Sequence, residues 1–176
     1  MQSGNSHVLE RMNRGYTREQ FIDKVAMIKN ILPHAVFSTD IIVGFPGETE
    51  EQFVDTYTML DLIKFESIFA FMYSPRPYTK AAKFTDQVPD HEKSERLQRL
   101  FKRQAEISVP LAQSYMGREL QVLVEEFSEE TGKCTGRSTQ NKVVHFEGSA
   151  ADIGKTLPII INKSNPSTLH GDRLNV

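Results

Sequence analysis

The chain has little of the chemistry that metal cages and membrane spans need. Its 176 residues include one cysteine, Cys134, and no tryptophan. A single thiol forms no intramolecular disulfide and no cysteine cage for a metal. No apolar run approaches the roughly 20 residues that cross a bilayer, and no secretory signal opens the chain. These absences predict a cytoplasmic protein that has no membrane partner and no metal site of its own.

A strong net charge is also missing. Lysine and arginine number 21 and aspartate and glutamate 23, for a formal net charge of −2. This balance argues against a strongly basic nucleic-acid-binding protein, although a local patch could still bind RNA. A hydrophobic share of 39% and a charged share of 25% are typical of a globular protein. The length suits one domain, or one domain and a small second one.

The most informative segment runs from Thr39 to Glu51 and reads TDIIVGFPGETEE. A β-branched apolar run precedes two glycines and a proline, and an acidic helix start follows. This order predicts a buried strand, a tight turn and a helix N-terminus. Ligands of α/β proteins bind beyond the carboxyl ends of such strands, and glycine lets a ligand approach the backbone closely. The alternative is a plain turn that glycine and proline merely shape.

Patterns on both sides of this segment predict alternating helices and strands. Thr17 begins a helix as its capping residue, and Pro33 ends that helix. Strands are predicted at 35–43 and 67–73, apolar on both faces and therefore buried in a parallel sheet, with a helix capped by Thr49 between them. Two strands are too few for a stable sheet. We therefore expect further strands from an N-terminal remainder of the same protein.

The pattern changes in the last part of the chain. A long charged helix is predicted at 90–115, interrupted or kinked at Pro110, with its lysines and arginines on a solvated face. Short strands are then predicted at 119–125, 134–139, 142–146, 156–163 and 168–176. Their spacing and polar turns are typical of a small antiparallel barrel of the OB type. The predicted fold is α/β in residues 1–114, followed by an all-β domain in residues 115–176.

Five segments, taken together and in order, resemble the radical S-adenosylmethionine methylthiotransferases. They read QSGNSHVLERMNRGYTREQF, TDIIVGFPGETEEQF, FAFMYSPRPYTKAA, ERLQRL and GRSTQNKVVHFEG. The QSG and HFEG segments most resemble the tRNA branch, which adds a methylthio group to carbon 2 of isopentenyl-modified adenosine beside the anticodon. The resemblance implies the end of a partial radical-SAM (β/α) barrel, followed by a TRAM barrel that holds the tRNA anticodon stem-loop. The alternatives are a sibling enzyme acting on threonylcarbamoyl-adenosine or on a ribosomal-protein aspartate, or a non-catalytic RNA-binding module.

The resemblance also implies cofactors, namely S-adenosylmethionine and, in the full-length protein, two 4Fe-4S clusters. In the family, one S-adenosylmethionine supplies the methyl group, and a second yields a deoxyadenosyl radical that abstracts hydrogen from carbon 2 of the adenine. The CxxxCxxC motif and the three cysteines of the second cluster lie upstream in that family. With Cys134 alone this chain can bind neither cluster. We therefore expect a C-terminal fragment that contains no catalytic residue and is inactive without the N-terminal remainder.

Eight residues are expected near S-adenosylmethionine from this resemblance: Gln2, Ser3, Asp40, Gly44, Phe45, Pro46, Gly47 and Glu48. For Glu48 the alternative is charge complementation at a helix N-terminus. An unpaired carboxylate inside an apolar strand is costly, so Asp40 must be paired, hydrogen-bonded or turned into the barrel lumen. Gln2 and Ser3 are terminal in this chain and are expected to fray.

Substrate contacts are expected from seven residues: Arg14, Tyr73, Arg76, Lys133, Arg137, Lys142 and His145. Arg14 could clamp a carboxylate or phosphate, or simply neutralise a helix C-terminus. The cations in the barrel would meet RNA phosphates, unless they only aid solubility. Phe146 is expected in the barrel core rather than in a base stack. Tyr78 stands where the family commonly has glycine, and a tyrosine with positive φ is costly.

Overall fold

The computed structural model describes residues 1–174, which divide into two compact units, one ending at Ile107 and one beginning at Ser108. The helices are α1 (Ser6–Arg11), α2 (Arg18–Ile31), α3 (Glu50–Ile63) and α4 (Asp90–Gln113). The strands are β1 (Ser38–Val43), β2 (Ser67–Met72), β3 (Glu119–Ser128), β4 (Lys133–Ser138), β5 (Val143–Glu147), β6 (Thr156–Ser164) and β7 (Thr168–Arg173). Asn175 and Val176, the end of the last predicted strand, lie outside the described residues. No helix in residues 1–174 is long and apolar enough to cross a membrane.

Local signals set the helix ends as predicted. Thr17 and Thr49 each form a capping box with the glutamine three residues later. The long helix is also confirmed, and it continues through Pro110. The expectation that its cations are all solvated is wrong, because Lys93 and Arg96 are buried. Lys93 packs against Gly44 in the loop that follows β1 and pairs with Asp90 of its own helix. Arg96 pairs with Glu48 of that loop.

The two strands of the first unit are parallel, with Asp40 opposite Phe69 in the register. This confirms the α/β arrangement, although β1 begins at Ser38 rather than at residue 35. The prediction that both strands are buried on both faces is wrong: Phe69 and Phe71 are 53% and 58% exposed. The reason is that α2 and α3 pack against one face only, where Met59 and Ile63 of α3 join the core. On the other face of the sheet Asp40, Phe69 and Phe71 are exposed.

The first residues of the chain are ordered against β1. The carbonyl of Gln2 accepts a hydrogen bond from the amide of Ile42 at 2.9 Å. The Met1 ammonium donates to a threonine hydroxyl of β1 at 2.7 Å. Ser3 is fully buried, with its hydroxyl 3.2 Å from that of Thr56. The expectation of fraying is therefore wrong, because this segment satisfies hydrogen-bonding groups along the edge of β1.

The second unit is a closed barrel with the strand order β3-β4-β5-β7-β6. Neighbouring strands are antiparallel except β5 and β7, which pair in parallel. The small OB-like barrel predicted from the turn spacing is thus confirmed, with this one parallel pair as the difference. Phe146 is 2% exposed and belongs to the barrel core, so core packing accounts for it.

Tyr78 adopts the left-handed backbone region, with φ 69°, and its side chain is fully exposed. A side chain in this region is strained, and no packing in the turn compensates. Replacing Tyr78 by glycine should therefore raise the free energy of unfolding by about 0.5–1 kcal/mol. Chemical denaturation measures this change. Asn13→Gly is the matched control, since Asn13 also has positive φ (58°) but asparagine tolerates it. Equal effects of the two substitutions would contradict the explanation.

Candidate functional site

The loop after β1, residues 44–48, is stabilised by a buried ion pair between Glu48 and Arg96. The side chain of Glu48 is 1% exposed, and its Oε2 accepts from the Gly44 amide at 2.7 Å and from Nη1 of Arg96 at 3.0 Å. Burial raises the pKa of Glu48, whereas the Gly44 amide and the Arg96 guanidinium act in the opposite direction. The Glu48 carboxylate therefore stabilises the turn at residues 44–48 through buried hydrogen bonds.

The two glycines of this loop make room for the protein's own side chains. A Cβ on Gly44 would stand 2.3 Å from Cγ of Lys93, and one on Gly47 would stand 2.4 Å from a carboxylate oxygen of Asp86. Both glycines have positive φ, at 67° and 78°, which a side chain rarely adopts. Close packing and positive φ thus explain why Gly44 and Gly47 are glycines without a bound ligand. This agrees with the alternative in which glycine only shapes the turn.

The eight residues expected near S-adenosylmethionine are not equally accessible. Ser3, Gly44, Phe45, Pro46 and Glu48 are buried within the first unit. The side chain of Gln2 accepts a hydrogen bond from the Tyr16 hydroxyl at 3.0 Å. Asp40 is the exposed member of the set. Cofactor contacts by these residues stay predictions, and Asp40 is the side chain best placed to make one.

Asp40 lies on the uncovered side of the two-stranded sheet. We call this surface the open sheet face, and its members are Ser38, Asp40, Ile42, Phe69 and Phe71. It combines a carboxylate with two exposed aromatic rings. Burial lowers the pKa of the Met1 ammonium, the charge of Asp40 raises it and the charge of Arg14 lowers it further. Asp40 and Arg14 therefore both lie near the Met1 ammonium. Such a surface can receive a flat or apolar group and accept a hydrogen bond from its polar edge.

Tyr73 follows β2 at the edge of this region. Its ring contacts Phe45 edge to face at 5.1 Å between centroids, and the ammonium of Lys93 lies 5.9 Å from its ring centre. Among residues 1–174, its buried hydroxyl has no hydrogen-bond partner. An unpaired hydroxyl in a buried position is costly. Because this oxygen is almost inaccessible to solvent, substrate contact by Tyr73 stays a prediction. Arg76, the neighbouring predicted substrate residue, is exposed.

In the barrel, two of the predicted RNA contacts are engaged within the protein. Lys142 is buried, and its ammonium lies 3.5 Å from the carbonyl of Pro166. Arg137 forms an ion pair with Glu125 at 3.3 Å and donates to Asn141. Direct phosphate contacts by these two cations stay predictions, but each cation already has a partner.

The other two predicted contacts, Lys133 and His145, lie with residues that the sequence did not single out. The rings of His145 and His170 are 5.3 Å apart between centroids. Nδ1 of His145 is 3.0 Å from the hydroxyl of Thr135, and Lys163 is paired with His170 in the strand register. We call the surface formed by these five residues the histidine face: Lys133, Thr135, His145, Lys163 and His170. A local pattern could have shown that both histidines point outward, but not that their strands are neighbours.

Two known families match different parts of the chain, one in each compact unit. Residues 1–60 match the Radical SAM superfamily, and residues 113–174 match the TRAM domain. Among solved structures, a conserved protein of Methanococcus maripaludis is similar over 34% of this chain, with 17% identity and a TM-score of 0.29. That likeness is too low to carry an argument.

Curated relatives match nearly the whole chain, and three of them carry the name tRNA-2-methylthio-N(6)-dimethylallyladenosine synthase. The protein of Bdellovibrio bacteriovorus is 53% identical over 98% of this chain and 38% of its own length. Those of Acetivibrio thermocellus and Aquifex aeolicus are 46% and 42% identical, over 97% and 99% of this chain and 36% and 39% of their own lengths. The chain thus spans about two fifths of the length of these relatives.

The residues present do not fit an iron–sulfur cluster. Within residues 1–174, no group of three or more histidine, cysteine, aspartate or glutamate side chains could hold a metal ion. Cys134 is buried in the barrel, and burial raises the pKa of its thiol, which disfavours the thiolate that binds iron. The exposed carboxylate of Asp40, by contrast, can accept hydrogen bonds from the polar groups of a nucleoside.

Proposed function

We infer that this chain, which belongs to the radical SAM methylthiotransferase family, is part of an enzyme that adds a methylthio group to carbon 2 of dimethylallyl-adenosine in tRNA. The observation that carries the proposal is its 42–53% identity to synthases of that name over nearly its whole length. A radical SAM segment followed by a TRAM domain supports the same function. Because the relatives are longer, an N-terminal remainder with the cluster cysteines is part of the proposal. Its substrate would place the enzyme in the cytoplasm.

The first unit is proposed to form one wall of the site for S-adenosylmethionine and the target adenosine. On the open sheet face, the Asp40 carboxylate can accept a hydrogen bond from a ribose hydroxyl or an amino group. The exposed rings of Phe69 and Phe71 can pack against an adenine ring or a dimethylallyl group. Bound S-adenosylmethionine would supply the methyl group and the deoxyadenosyl radical. This chain's side chains would position and desolvate the reactants.

The second unit is proposed to hold the anticodon stem-loop of the tRNA. Small barrels of this class bind oligonucleotides on one face of the strands. Outward lysines and histidines on β4, β5, β6 and β7 suit phosphate contacts. The near-neutral net charge of −2 makes such binding local to a patch.

Mass spectrometry of tRNA nucleosides tests the proposed substrate. In a strain that lacks the gene, the 2-methylthio form of dimethylallyl-adenosine should disappear and the form without sulfur should accumulate. Loss of methylthio from threonylcarbamoyl-adenosine, or from a ribosomal-protein aspartate, would instead identify a sibling enzyme. Unchanged levels of all three modifications would contradict the enzymatic proposal and favour a non-catalytic RNA-binding module.

A further inference from the structure

We propose that the histidine face is a phosphate-binding subsite for RNA whose affinity increases when its two imidazoles take up protons. This inference rests on the proposed role of the second unit in holding tRNA. It adds which part of the barrel surface contacts the backbone and how that contact depends on pH.

The strand pairing builds the subsite. His145 on β5 is opposite His170 on β7 and also opposite Thr135 on β4. The Thr135 hydroxyl engages Nδ1 of His145 at 3.0 Å and so orients the ring. Among residues 1–174, no hydrogen bond is found to Nε2 of His145 or to the ring of His170. A protonated imidazole donates from both nitrogens, so each ring can offer a donor to a phosphate oxygen.

Charged residues of all five strands lie on the side of the barrel wall that carries these rings. By register and strand alternation they are Glu126 of β3, Lys133 of β4, Glu147 of β5, Lys163 of β6 and Asp172 of β7. Asp172 also accepts a hydrogen bond from Asn162 at 2.6 Å. With neutral imidazoles this side of the barrel wall carries two lysines against three carboxylates. Protonation of both histidines gives an excess of positive charge and makes the face attractive to a polyanion.

The surroundings of His170 disfavour its protonated form in the absence of RNA. Burial lowers the pKa of His170, and His145, Lys163 and Lys133 lower it further. A bound phosphate replaces part of that repulsion by attraction, so it raises the imidazole pKa. When the bound form has the higher pKa, affinity increases as the pH falls through that value, and levels off below the pKa of the free protein. RNA should therefore bind more tightly at mildly acidic pH.

The test uses the full chain and an RNA anticodon stem-loop, titrated at fixed salt between pH 8.0 and pH 5.5. Affinity should increase about tenfold for each imidazole whose pKa rises by one unit on binding. His145→Gln together with His170→Gln should remove most of this increase. His34→Gln together with His91→Gln is the matched control, because both histidines are exposed and lie in the first unit, and it should behave as the wild type.

Two further measurements keep a folding defect separate from a binding defect. In histidine NMR spectra of the wild type, RNA should shift the ring resonances of His145 and His170 and leave those of His34 unchanged. Lys133→Ala with Lys163→Ala should reduce the slope of log affinity against log salt by about 1.4. Arg137→Ala should reduce it less, since Glu125 already pairs with Arg137.

The outcomes separate this inference from the function on which it rests. RNA binding without pH dependence, or with pH dependence retained in the double histidine variant, would overturn the subsite and leave tRNA binding by the barrel intact. No RNA binding at any pH would overturn both the subsite and the proposed role of the second unit.

Discussion

Replacing Arg96 by alanine should lower the free energy of unfolding of the first unit by about 3–5 kcal/mol. The substitution removes the guanidinium that pairs with Glu48, whose side chain is 1% exposed. One carboxylate oxygen of Glu48 already has no hydrogen-bond partner among residues 1–174, so the remaining charge would be poorly compensated. Denaturant unfolding, followed by the exchange protection of amides in β1 and α3, measures the change. Arg99→Ala is the matched control, because its side chain is 37% exposed and surface pairs contribute about 0–1 kcal/mol.

The same substitution should be less harmful at acidic pH. Burial raises the pKa of Glu48 in the folded protein, and loss of Arg96 should raise it further. A carboxyl group with a higher pKa in the folded than in the unfolded state takes up a proton on folding, so lowering the pH stabilises the folded form. Arg96→Ala should thus lose less stability at pH 5 than at pH 7. A loss below about 1 kcal/mol, or one independent of pH, would contradict a buried charged pair.

Replacing Gly136 by alanine should disrupt barrel closure and cost about 3 kcal/mol or more. A Cβ at this position would stand 2.3 Å from the carbonyl oxygen of Leu123 and 2.7 Å from a methyl group of Val122. Because the nearest atom belongs to the backbone of β3, the clash cannot be relieved by a side-chain rotation alone. Strands β3 and β4 would have to separate and lose ladder hydrogen bonds. Hydrogen exchange of the barrel amides reports this loss.

Gly171→Ala independently tests whether close strand contacts require glycine. A Cβ added at Gly171 would lie 2.3 Å from the carbonyl oxygen of Ile160. Gly15→Ala is the control, because apart from the adjoining residues no atom of residues 1–174 lies within 4 Å of its added Cβ. A change within about 0.5 kcal/mol is expected. Wild-type protection in both the Gly136→Ala and Gly171→Ala proteins would show that the barrel tolerates looser strand contacts than the structure indicates.

The parts of the fold that depend on neighbours in sequence could be predicted. Capping chemistry located the starts of α2 and α3 at Thr17 and Thr49. Turn residues located the barrel strands. In each case the deciding interactions lie within a few residues along the chain.

What depends on distant parts of the chain could not be predicted. The apolar pattern of β2 predicts burial on both faces, because the pattern does not depend on whether another element covers the second face. The exposure of Phe69 was therefore not predicted. The burial of Arg96 depends on α4 meeting a loop 48 residues away in sequence. The pairing of His145 with His170 depends on the parallel contact between β5 and β7, which no local pattern encodes.

The central claim is that this chain supplies a working part of a tRNA methylthiotransferase. The most direct test replaces the matching segment of the Bdellovibrio bacteriovorus synthase by this chain and expresses the chimera in a strain without its own synthase. We expect 2-methylthio-dimethylallyl-adenosine to reappear in tRNA, to be strongly reduced by Asp40→Ala on the open sheet face, and to be unaffected by Asp23→Ala on the exposed side of α2. A folded chimera that contains its clusters, yet forms none of this nucleoside, would contradict the claim.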